Sequence, residues 1–496
     1  MPESNNTSIH KVITAASLGT LIEWYDFYIF GSLAVIIGKQ LFPADSGTSA
    51  LINTLAIFAA GFIVRPFGAI VFGRLGDMIG RKHTFLLTLI LMGGSTFMIG
   101  LIPGFSSIGY FAPALVLLLR LVQGLALGGE YGGAATYVAE HAPPNKKGFY
   151  TSWIQTTATL GLFLSLGVIV FLKSFLGTEK FEAWGWRIPF LISIVLVFIS
   201  FYIRIKMKES PMFVQLKKEG KTSTNPLKES FRKKGNLKLV LLALFGAVMG
   251  QGVIWYTGQF YAQSFIENTC KIEFNESRYI LLWAIALATP FFIVFGSLSD
   301  RFGRKWIMLG GMLLAIIFYR PIYQNFLDNS HIPSLAENST VIKKTNISTA
   351  DPTINSATIS LSNGYSFTKT ITTDISTSNQ SIKYSNIQLP TKTFSWFVFL
   401  VFVQILFVTM VYGPIAAFLV DLFPTKIRYT SMSLPYHIGN GVFGGLVPFL
   451  ATLITSFKGS DALSGLWYPI GVASVCFLIG LIYLDNNKSD SSLLEN

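Results

Sequence analysis

The sequence predicts an all-α membrane protein with twelve transmembrane helices in two six-helix, pseudo-symmetric halves. Three observations lead to this prediction: few charged residues, twelve long apolar segments, and a repeat that relates the two halves. Of the 496 residues, 51% are hydrophobic and 13% are charged, whereas soluble domains carry about 25% charged residues. This balance excludes a disordered chain and an ordinary soluble enzyme. The two cysteines, Cys270 and Cys476, are too few for a disulfide framework or a thiolate zinc site.

A transmembrane helix needs about 20 mostly apolar residues, and twelve segments meet this requirement. The first lacks a small-residue cleavage site followed by a soluble domain, so we expect a retained span rather than a signal peptide. The fourth carries glycines spaced four residues apart, which favours close contact with a neighbouring helix. The expected spans are residues 12–38, 50–72, 83–102, 109–140, 149–172, 187–204, 238–263, 278–298, 305–325, 394–421, 430–456 and 466–484.

The distribution of basic residues predicts the orientation. An even number of spans places both termini on one side, where 23 Lys and Arg residues fall, against 7 in the short connections of the other side. Positive residues are enriched in cytoplasmic connections, so we expect a multi-pass protein of the bacterial inner membrane with both termini in the cytoplasm. This asymmetry accounts for most of the net charge of +13, and we expect no nucleic-acid partner.

An internal repeat divides the chain. The pattern Gly-x-Leu-x-Asp-x-x-Gly-Arg-Lys occurs at 73–82 and again at 296–305, and a polar, Lys-rich segment lies between the two copies. Two homologous six-helix halves are typical of a transporter that rocks about a central site. The expected organisation is an N-terminal half at 1–203, a cytoplasmic linker at 204–238, a C-terminal half at 239–484 and a cytoplasmic tail at 485–496.

The C-terminal half contains one long external connection, residues 326–393. From 338 onwards it is rich in Ser, Thr and Asn, and its isolated aliphatic residues cannot build a core of their own. Alternating residues around Asn363-Gly364 match a type I′ hairpin, so a small external hairpin and an irregular segment both remain open. Because no core-forming pattern is present, we expect transport to be independent of this segment.

The two repeated loops have a physical interpretation as clasps that hold one conformation and release another. Glycines permit a tight turn, the aspartate accepts hydrogen bonds from backbone donors at a helix start, and the arginine offers a planar bidentate partner. The alternative is a basic turn with a solvated acid, and two copies at matching positions argue against it. The clasp residues are Gly73, Asp77, Gly80, Arg81, Gly296, Asp300, Gly303 and Arg304.

These paired loops resemble the signature of the major facilitator superfamily. Further motifs resemble its metabolite:proton symporter family, whose members move osmolytes such as proline and betaine, or organic acids such as α-ketoglutarate and shikimate. The resemblance covers nearly the whole chain and departs from the family at 326–393, which is far longer than usual. The motifs are Glu23-Trp-Tyr-Asp26-Phe, Arg65-Pro-Phe-Gly68, Arg120-Leu-Val-Gln-Gly124, Gly128-Gly-Glu130-Tyr-Gly-Gly133, Trp184-Gly-Trp-Arg187-Ile-Pro-Phe, Glu209-Ser-Pro-Met-Phe213 and Leu422-Phe-Pro-Thr-Lys-Ile-Arg428-Tyr-Thr.

Five charged residues lie well inside predicted spans, where each must face a cavity or a partner because charge in lipid costs several kcal/mol. Asp26 and Arg120 reach similar depths in their helices, so they are expected to pair. Glu23 shares a helix face with Asp26, and Glu130 is the third acid. Because the spans hold three acids and only two arginines, one carboxylate lacks a cationic partner and is available to load a proton. The predicted coupling group consists of Asp26, Arg120, Glu23 and Glu130. The alternative is a static ion-pair network, and Arg65 is interpreted as structural.

The C-terminal half offers polar and aromatic side chains in its spans instead of charges. Gln251, Trp255 and Gln259 are spaced four residues apart and form one stripe. Aromatic faces attract alkylammonium groups, whereas plain helix packing is the alternative for the stripe and a satisfied core histidine is the alternative for His437. The candidate substrate-binding residues are Tyr25, Gln123, Gln251, Trp255, Tyr256, Gln259, Tyr436, His437 and Asn440.

The sequence therefore predicts a secondary active transporter that moves a small organic metabolite together with a proton. A zwitterionic osmolyte or amino acid is favoured, and a di- or tricarboxylate or another organic acid is the alternative. The expected partners are the solute, the proton and the lipid bilayer; the protein is expected to act as a monomer and to need no cofactor beyond the proton gradient. A membrane-embedded enzyme lacks a convergent catalytic pattern here, and a non-transporting receptor could dispense with the intramembrane carboxylates.

Overall fold

The chain folds into a bundle of long helices with one small β-sheet. Glu23, Asp26, Gly80, Glu130 and most of the expected linker lie outside the described residues. The structure, a computed structural model, describes residues 20–21, 24–25, 28–43, 46–79, 81–129, 131–205, 234–337, 339–347, 354–373, 380–423 and 428–485.

The helical segments of the described chain that lie at the twelve predicted spans are numbered α1–α12 in chain order. A short helical stretch at residues 28–32 precedes α1. The helix α2 is interrupted at Val64, two residues before Pro66, because proline disfavours a helical conformation in the residue before it and removes a backbone donor. The segments are α1 (Ala34–Leu41), α2 (Gly47–Ile63 and Arg65–Ile79), α3 (Arg81–Leu101), α4 (Phe111–Leu127), α5 (Lys147–Leu176), α6 (Ile188–Ile205), α7 (Gly235–Thr269), α8 (Phe274–Phe302), α9 (Arg304–Asp328), α10 (Thr391–Leu422), α11 (Thr430–Ser456) and α12 (Trp467–Tyr483).

Short helices connect some of these segments, and wide π-helical turns interrupt two of them. The short helices are Phe105–Ile108, Tyr131–His141, Thr178–Ala183 and Ile332–Glu337. The π-helical turns are Leu244–Val248, Thr257–Tyr261 and Phe265–Thr269 in α7, and His437–Gly444 in α11.

The helices have the length and composition of membrane spans. Eight helices of the described chain are long and apolar enough to cross a bilayer, and three shorter apolar helices lie at other predicted spans, Leu86–Leu101, Phe111–Leu127 and Gly185–Ile199. The prediction of a helical membrane bundle is therefore confirmed.

Glycines allow α2 and α4 to cross with their backbones in contact. A Cβ atom on Gly124 would lie 1.8 Å from the carbonyl oxygen of Gly61, and one on Gly128 would lie 2.1 Å from that of Arg65. No side chain fits at such distances, so these two positions require glycine. The close helix contact predicted from the glycines of the fourth span is confirmed.

A four-stranded antiparallel sheet occupies the long connection between α9 and α10. The strands β1 (Val341–Ile347), β2 (Ile354–Leu361), β3 (Ser366–Thr373) and β4 (Gln380–Gln388) are paired in the order β1-β2-β3-β4. The hairpin alternative holds for β2 and β3, whose turn contains Asn363 and Gly364. The predicted turn type is wrong, because type I′ needs a positive φ at both residues and only Gly364 has one, at 88°. Strands β1 and β4 extend the hairpin beyond the prediction.

The sheet is docked on the helix bundle. Leu361, Phe367 and Ile387 are each at most 3% exposed and belong to the same buried apolar cluster as the helices. The backbone amide of Ile387 donates to the carbonyl oxygen of Lys271 at 2.9 Å, in the connection between α7 and α8. The sheet shares its buried apolar residues with the helix bundle, which supplies the apolar surface that the segment lacks. The expected independence of transport from this segment therefore loses its basis.

We expect Phe367→Ala to loosen the sheet, because truncating a buried Phe costs about 3–5 kcal/mol. Amide hydrogen exchange in β2 to β4 should accelerate by about a hundredfold or more. Ile382→Ala on β4 is the control, since Ile382 is 51% exposed. Equal exchange in both variants would contradict docking of the sheet on the bundle.

Candidate functional site

The two ends of the bundle are named here by what they carry. The sheet end carries the β-sheet, and the signature end carries the loop between α8 and α9 that holds the second repeated motif. Both ends are closed by contacts that join the N-terminal and C-terminal halves, and a cavity lies between these closures.

At the signature end, the carboxylate of Asp300 caps the start of α5. It accepts hydrogen bonds from the backbone amides of Gly148 at 2.8 Å and Phe149 at 2.9 Å. An aspartate at a helix N-terminus is favoured by the orphan donors and the helix dipole. Because Asp300 belongs to the C-terminal half and α5 to the N-terminal half, this contact holds the halves together.

A small ionic network surrounds the Asp300 contact. Arg304 lies 3.7 Å from the carboxylate of Asp300 and also pairs with Asp421 at the end of α10. Lys147, at the start of α5, lies 2.9 Å from Asp421. The network therefore joins the starts of α5 and α9 to the ends of α8 and α10.

The glycines of the second motif have two different roles. Gly303 lies between α8 and α9 with φ 92°, which supports its expected role in a tight turn. Gly296 lies inside α8, so the turn interpretation is wrong for it. A Cβ atom on Gly296 would lie 2.5 Å from the Cβ of Ser152, and one on Gly148 would lie 2.4 Å from the carbonyl oxygen of Gly296. Gly296 instead allows α8 to approach α5.

The first motif is described only through its backbone. Gly73 and Asp77 lie in the second segment of α2, and Arg81 begins α3 as Arg304 begins α9. The two motifs therefore lead into helices at corresponding positions of the repeat.

At the sheet end, Arg278 joins three helical segments. Its Nη1 lies 2.8 Å from Oε2 of Glu267, near the end of α7, and its Nη2 donates to the carbonyl oxygen of Ser32 at 2.6 Å. Ser32 precedes α1 in the other half. The sequence does not predict this closure, because every residue has a backbone carbonyl and no sequence pattern identifies the one that Arg278 binds.

The central cavity lies between the two closures and is narrow in this conformation, with a volume of about 20 Å³. Arg65 is 2% exposed, and its guanidinium carbon lies 4.1 Å from the ring centroid of Phe62 and 5.4 Å from that of Trp24. Residues of both halves line the cavity, among them Thr20, Trp24, Arg65, Tyr131, Tyr436 and His437.

An aromatic layer crosses the bundle between the halves. Trp255 lies with ring centroids 5.5 Å from Tyr28 and 6.0 Å from Trp24. Tyr256 meets Phe62 edge to face at 5.1 Å. The candidates Trp255 and Tyr256 are thus in the interface between the halves. Tyr131 and Tyr436 stack at 3.5 Å across the same interface.

Three further candidates form a hydrogen-bonded chain in the C-terminal half. Nε2 of Gln251 donates to Oδ1 of Asn440 at 3.3 Å, and Nδ2 of Asn440 donates to the hydroxyl of Tyr436 at 3.3 Å. The hydroxyls of Tyr436 and Tyr412 are 2.8 Å apart. Tyr436 also lines the central cavity, so this chain holds one wall of the cavity in place.

Gln259 differs from these candidates. It is buried in a π-helical turn of α7, and its amide has no hydrogen-bond partner among the described residues. A buried unsatisfied amide is rare in folded proteins. Gln259 lies outside the described lining of the central cavity.

Arg120, Gln123 and Tyr25 lie within the N-terminal half. Nη1 of Arg120 donates to Oε1 of Gln123, whose Nε2 donates to the hydroxyl of Thr96 at 2.7 Å. The guanidinium carbon of Arg120 lies 4.2 Å from the ring centroid of Phe30. Tyr25 lies 3.3 Å from the carbonyl oxygen of Pro189, to which its hydroxyl donates. These hydrogen bonds of Gln123 and Tyr25 stay within the N-terminal half.

Arg65, Trp24 and Tyr131 line the cavity although the sequence did not select them as substrate contacts. Arg65 carried a usable signal, since an intramembrane charge is a candidate functional residue by default. Its position before Pro66 favoured the structural interpretation instead.

The geometry defines a helical transporter with a site between two repeated halves. Comparisons agree: the model of the sugar (and other) transporter family matches residues 11–334. The chain is 32% identical to the inner membrane metabolite transport protein YhjE of Escherichia coli K12, over 92% of this chain and 90% of that protein. It is 30% identical to the alpha-ketoglutarate permease of the same strain, over 95% and 92%.

Two further comparisons concern the osmolyte transporters and the fold. The proline/betaine transporter of Salmonella typhimurium LT2 is 35% identical over 66% of each chain. The xylose transporter XylE from E. coli, in a partially occluded inward-open conformation, superposes with a TM-score of 0.65 at 14% identity, over 97% of this chain and 99% of that chain. The protein belongs to the sugar (and other) transporter family of the major facilitator superfamily. It is a multi-pass membrane transporter and not an enzyme.

We expect Asp300→Asn to weaken the closure at the signature end, since hydrogen bonds to a charged group are worth about 1.5–3 kcal/mol. Spin labels at the exposed residues Asn145 and Arg301 should show a longer and broader distance distribution. Asp461→Asn serves as the control, because Asp461 is exposed and pairs with Arg320 at the opposite end. An unchanged distribution in Asp300→Asn would leave the solvated-turn alternative standing.

Proposed function

We propose that the protein is a proton-coupled symporter of a small zwitterionic metabolite in a bacterial inner membrane. The sheet end faces the exterior and both termini lie in the cytoplasm. The observation that carries the proposal is the central cavity, in which a buried guanidinium and several aromatic faces from both halves meet.

The chemistry of this cavity matches the two ends of a zwitterion. Arg65 can bind a carboxylate in a bidentate geometry. Aromatic faces attract alkylammonium groups, with Trp the strongest, and Trp24, Tyr131 and Tyr436 line the cavity. A solute held by both halves favours the state in which the halves close around it, as alternating access requires.

The relatives include transporters named for zwitterionic osmolytes and a transporter named for an organic acid. Proline and betaine are named for relatives at 35% identity over about two thirds of the chain, whereas alpha-ketoglutarate is named for a relative at 30% over 95%. An organic acid would need cationic partners for each carboxylate, and the described lining of the cavity offers one arginine, Arg65. This favours the zwitterion.

Proton coupling is assigned to Asp26, Glu23, Glu130 and Arg120, as the sequence suggests. Arg120 is fully buried beside Phe30 and Phe58. The three acids lie outside the described residues, so their assignment rests on the sequence. Protonation of this group would weaken its hold on Arg120 and permit the halves to move.

We expect Asp26→Asn to retain exchange of glycine betaine between equal pools and to lose accumulation driven by an imposed pH gradient. The reason is that an amide resembles the protonated acid but neither loads nor releases a proton. Uptake into proteoliposomes with an acidic exterior measures this, with the exposed Asp328→Asn as control. Continued accumulation in Asp26→Asn would transfer the coupling role to Glu23 or Glu130.

Arg65→Gln should weaken binding of glycine betaine and L-proline by at least about thirtyfold, since removing one partner of a buried charge pair costs about 2–5 kcal/mol. The affinity of Arg65→Lys should lie between those of the wild type and Arg65→Gln, because lysine keeps the charge but loses the bidentate geometry. Calorimetry on the purified protein reports the affinity, and Arg320→Gln at the surface controls for the charge change. Tight binding of α-ketoglutarate alone would instead establish the organic-acid alternative.

A further inference from the structure

Two tyrosines, one from each half, stack face to face in the wall of the central cavity. The ring centroids of Tyr131 and Tyr436 are 3.5 Å apart, and the ring planes differ by 4°. Each ring therefore covers the face that the other would offer to the cavity. The cavity, at about 20 Å³, has room for about one water molecule. An organic solute fits there only after part of the wall has moved.

Each ring is held at its hydroxyl by a partner in its own half. Nε2 of Gln155, on α5, donates to the hydroxyl of Tyr131 at 2.6 Å. The hydroxyl of Tyr436 lies 2.8 Å from that of Tyr412 and accepts from Nδ2 of Asn440 at 3.3 Å. Gln155 and Tyr412 are both 1% exposed. Because these partners belong to different halves, each ring moves with its own half.

Both tyrosines lie at breaks in their helices. Tyr131 begins the short helix Tyr131–His141, which follows α4. Tyr436 lies between Pro435, inside α11, and the π-helical turn His437–Gly444. Proline removes a backbone donor, and helices bend where the ladder of hydrogen bonds is interrupted. The two rings can therefore separate by local bending, without displacement of a whole continuous helix.

Separation of the rings would expose two faces that attract a cation. The ring of Trp24, in the same cavity, lies 5.4 Å from the guanidinium carbon of Arg65, so a second cation on Trp24 would be repelled by the first. An ammonium group binds an aromatic ring within about 6 Å of its centroid. One such group fits between the parallel rings of Tyr131 and Tyr436 once they have separated.

We propose that Tyr131 and Tyr436 separate when the solute enters and then hold its ammonium group between their faces; this pair is called the tyrosine clamp. The inference rests on the proposed function, in which Arg65 binds the solute's carboxylate. Gln155 and Tyr412 are positioning residues that keep the two rings parallel. Two cation–π contacts replace the lost ring contact, so the solute favours the separated state.

The tyrosine clamp discriminates among ammonium groups. A primary ammonium carries three N–H donors, and burial against ring faces leaves donors without acceptors, which costs free energy. A quaternary ammonium has no donor to satisfy. Glycine betaine should therefore bind at least about tenfold more tightly than glycine. Equal affinities for the two solutes would contradict recognition by ring faces.

The main test compares glycine betaine with tert-butylacetate, which has the same shape and carboxylate but a carbon atom in place of the charged nitrogen. Calorimetry on the purified protein should show tighter binding of glycine betaine. Tyr131→Leu and Tyr436→Leu should each reduce the ratio of the two affinities by about tenfold and leave binding of tert-butylacetate nearly unchanged. Tyr483→Leu is the control, because Tyr483 is 63% exposed.

Two further variants keep the ring faces and remove only the hydroxyls. Tyr131→Phe and Tyr436→Phe should retain most of the ratio, since a phenyl ring also attracts cations. If the leucine variants lower both affinities equally, the rings only shape the cavity, and the tyrosine clamp is refuted while the symport proposal stands. If the ratio responds as expected but glycine betaine and L-proline are never taken up under a pH gradient, the proposed function fails and the tyrosine clamp stands.

A double-mutant cycle examines the positioning role of Gln155. Gln155→Leu should reduce the affinity ratio by about threefold, because the Tyr131 hydroxyl loses its donor. The same substitution in a Tyr131→Phe background should change the ratio no further, since the hydrogen bond is already absent. Additive effects of the two substitutions would show that Gln155 acts through packing alone and would overturn its positioning role.

Discussion

Burial of two guanidinium groups is the constraint on which the arrangement of the N-terminal half depends. Arg65 and Arg120 are at most 2% exposed, and an ion removed from water loses several kcal/mol of solvation. Aromatic rings within 4.1–5.4 Å of each guanidinium return part of this energy. The glycine crossing of α2 and α4 places both arginines at the required depth. Aromatic rings therefore have two roles: they replace part of the lost hydration of these cations, and they form the interface between the halves.

The two closures are built from the same physical element, a charge that reaches the backbone of the opposite half. At the signature end the Asp300 carboxylate accepts from backbone amides, and at the sheet end the Arg278 guanidinium donates to a backbone carbonyl. Charge-assisted hydrogen bonds to the backbone hold a helix end at a defined position and are lost as soon as the helix moves. Each closure is thus a contact that is either made or broken, as two discrete conformations require.

Much of the fold could be predicted from the sequence because membrane spans and a repeated motif are local patterns. The lengths of the apolar segments predict the spans, and the motif at 296–305 predicts the roles of Asp300 and Arg304. The site was harder, since periodicity gives the depth and face of a residue but not the helix that packs against it. Arg65 is an example: its position before Pro66 indicates a structural residue, and nothing in the sequence shows that it lines a cavity between the halves. Arg278 was missed because its partner is the Ser32 carbonyl. Strand β4 escapes prediction because its buried residue, Ile387, packs against the helices, and β1 escapes it because all of its residues are exposed.

The pairing between the sheet and the connection from α7 to α8 has a mechanical consequence. Ile387 exchanges two backbone hydrogen bonds with this connection, at Lys271 and Glu273. Burial lowers the pKa of the Lys271 ammonium, and the positive charge of Lys383 on β4 lowers it further. Any displacement of the connection must carry the four strands along or break these bonds, at about 0.5–1.5 kcal/mol each. The sheet is thus mechanically coupled to one end of the bundle, and the two must move as one body for as long as these bonds last.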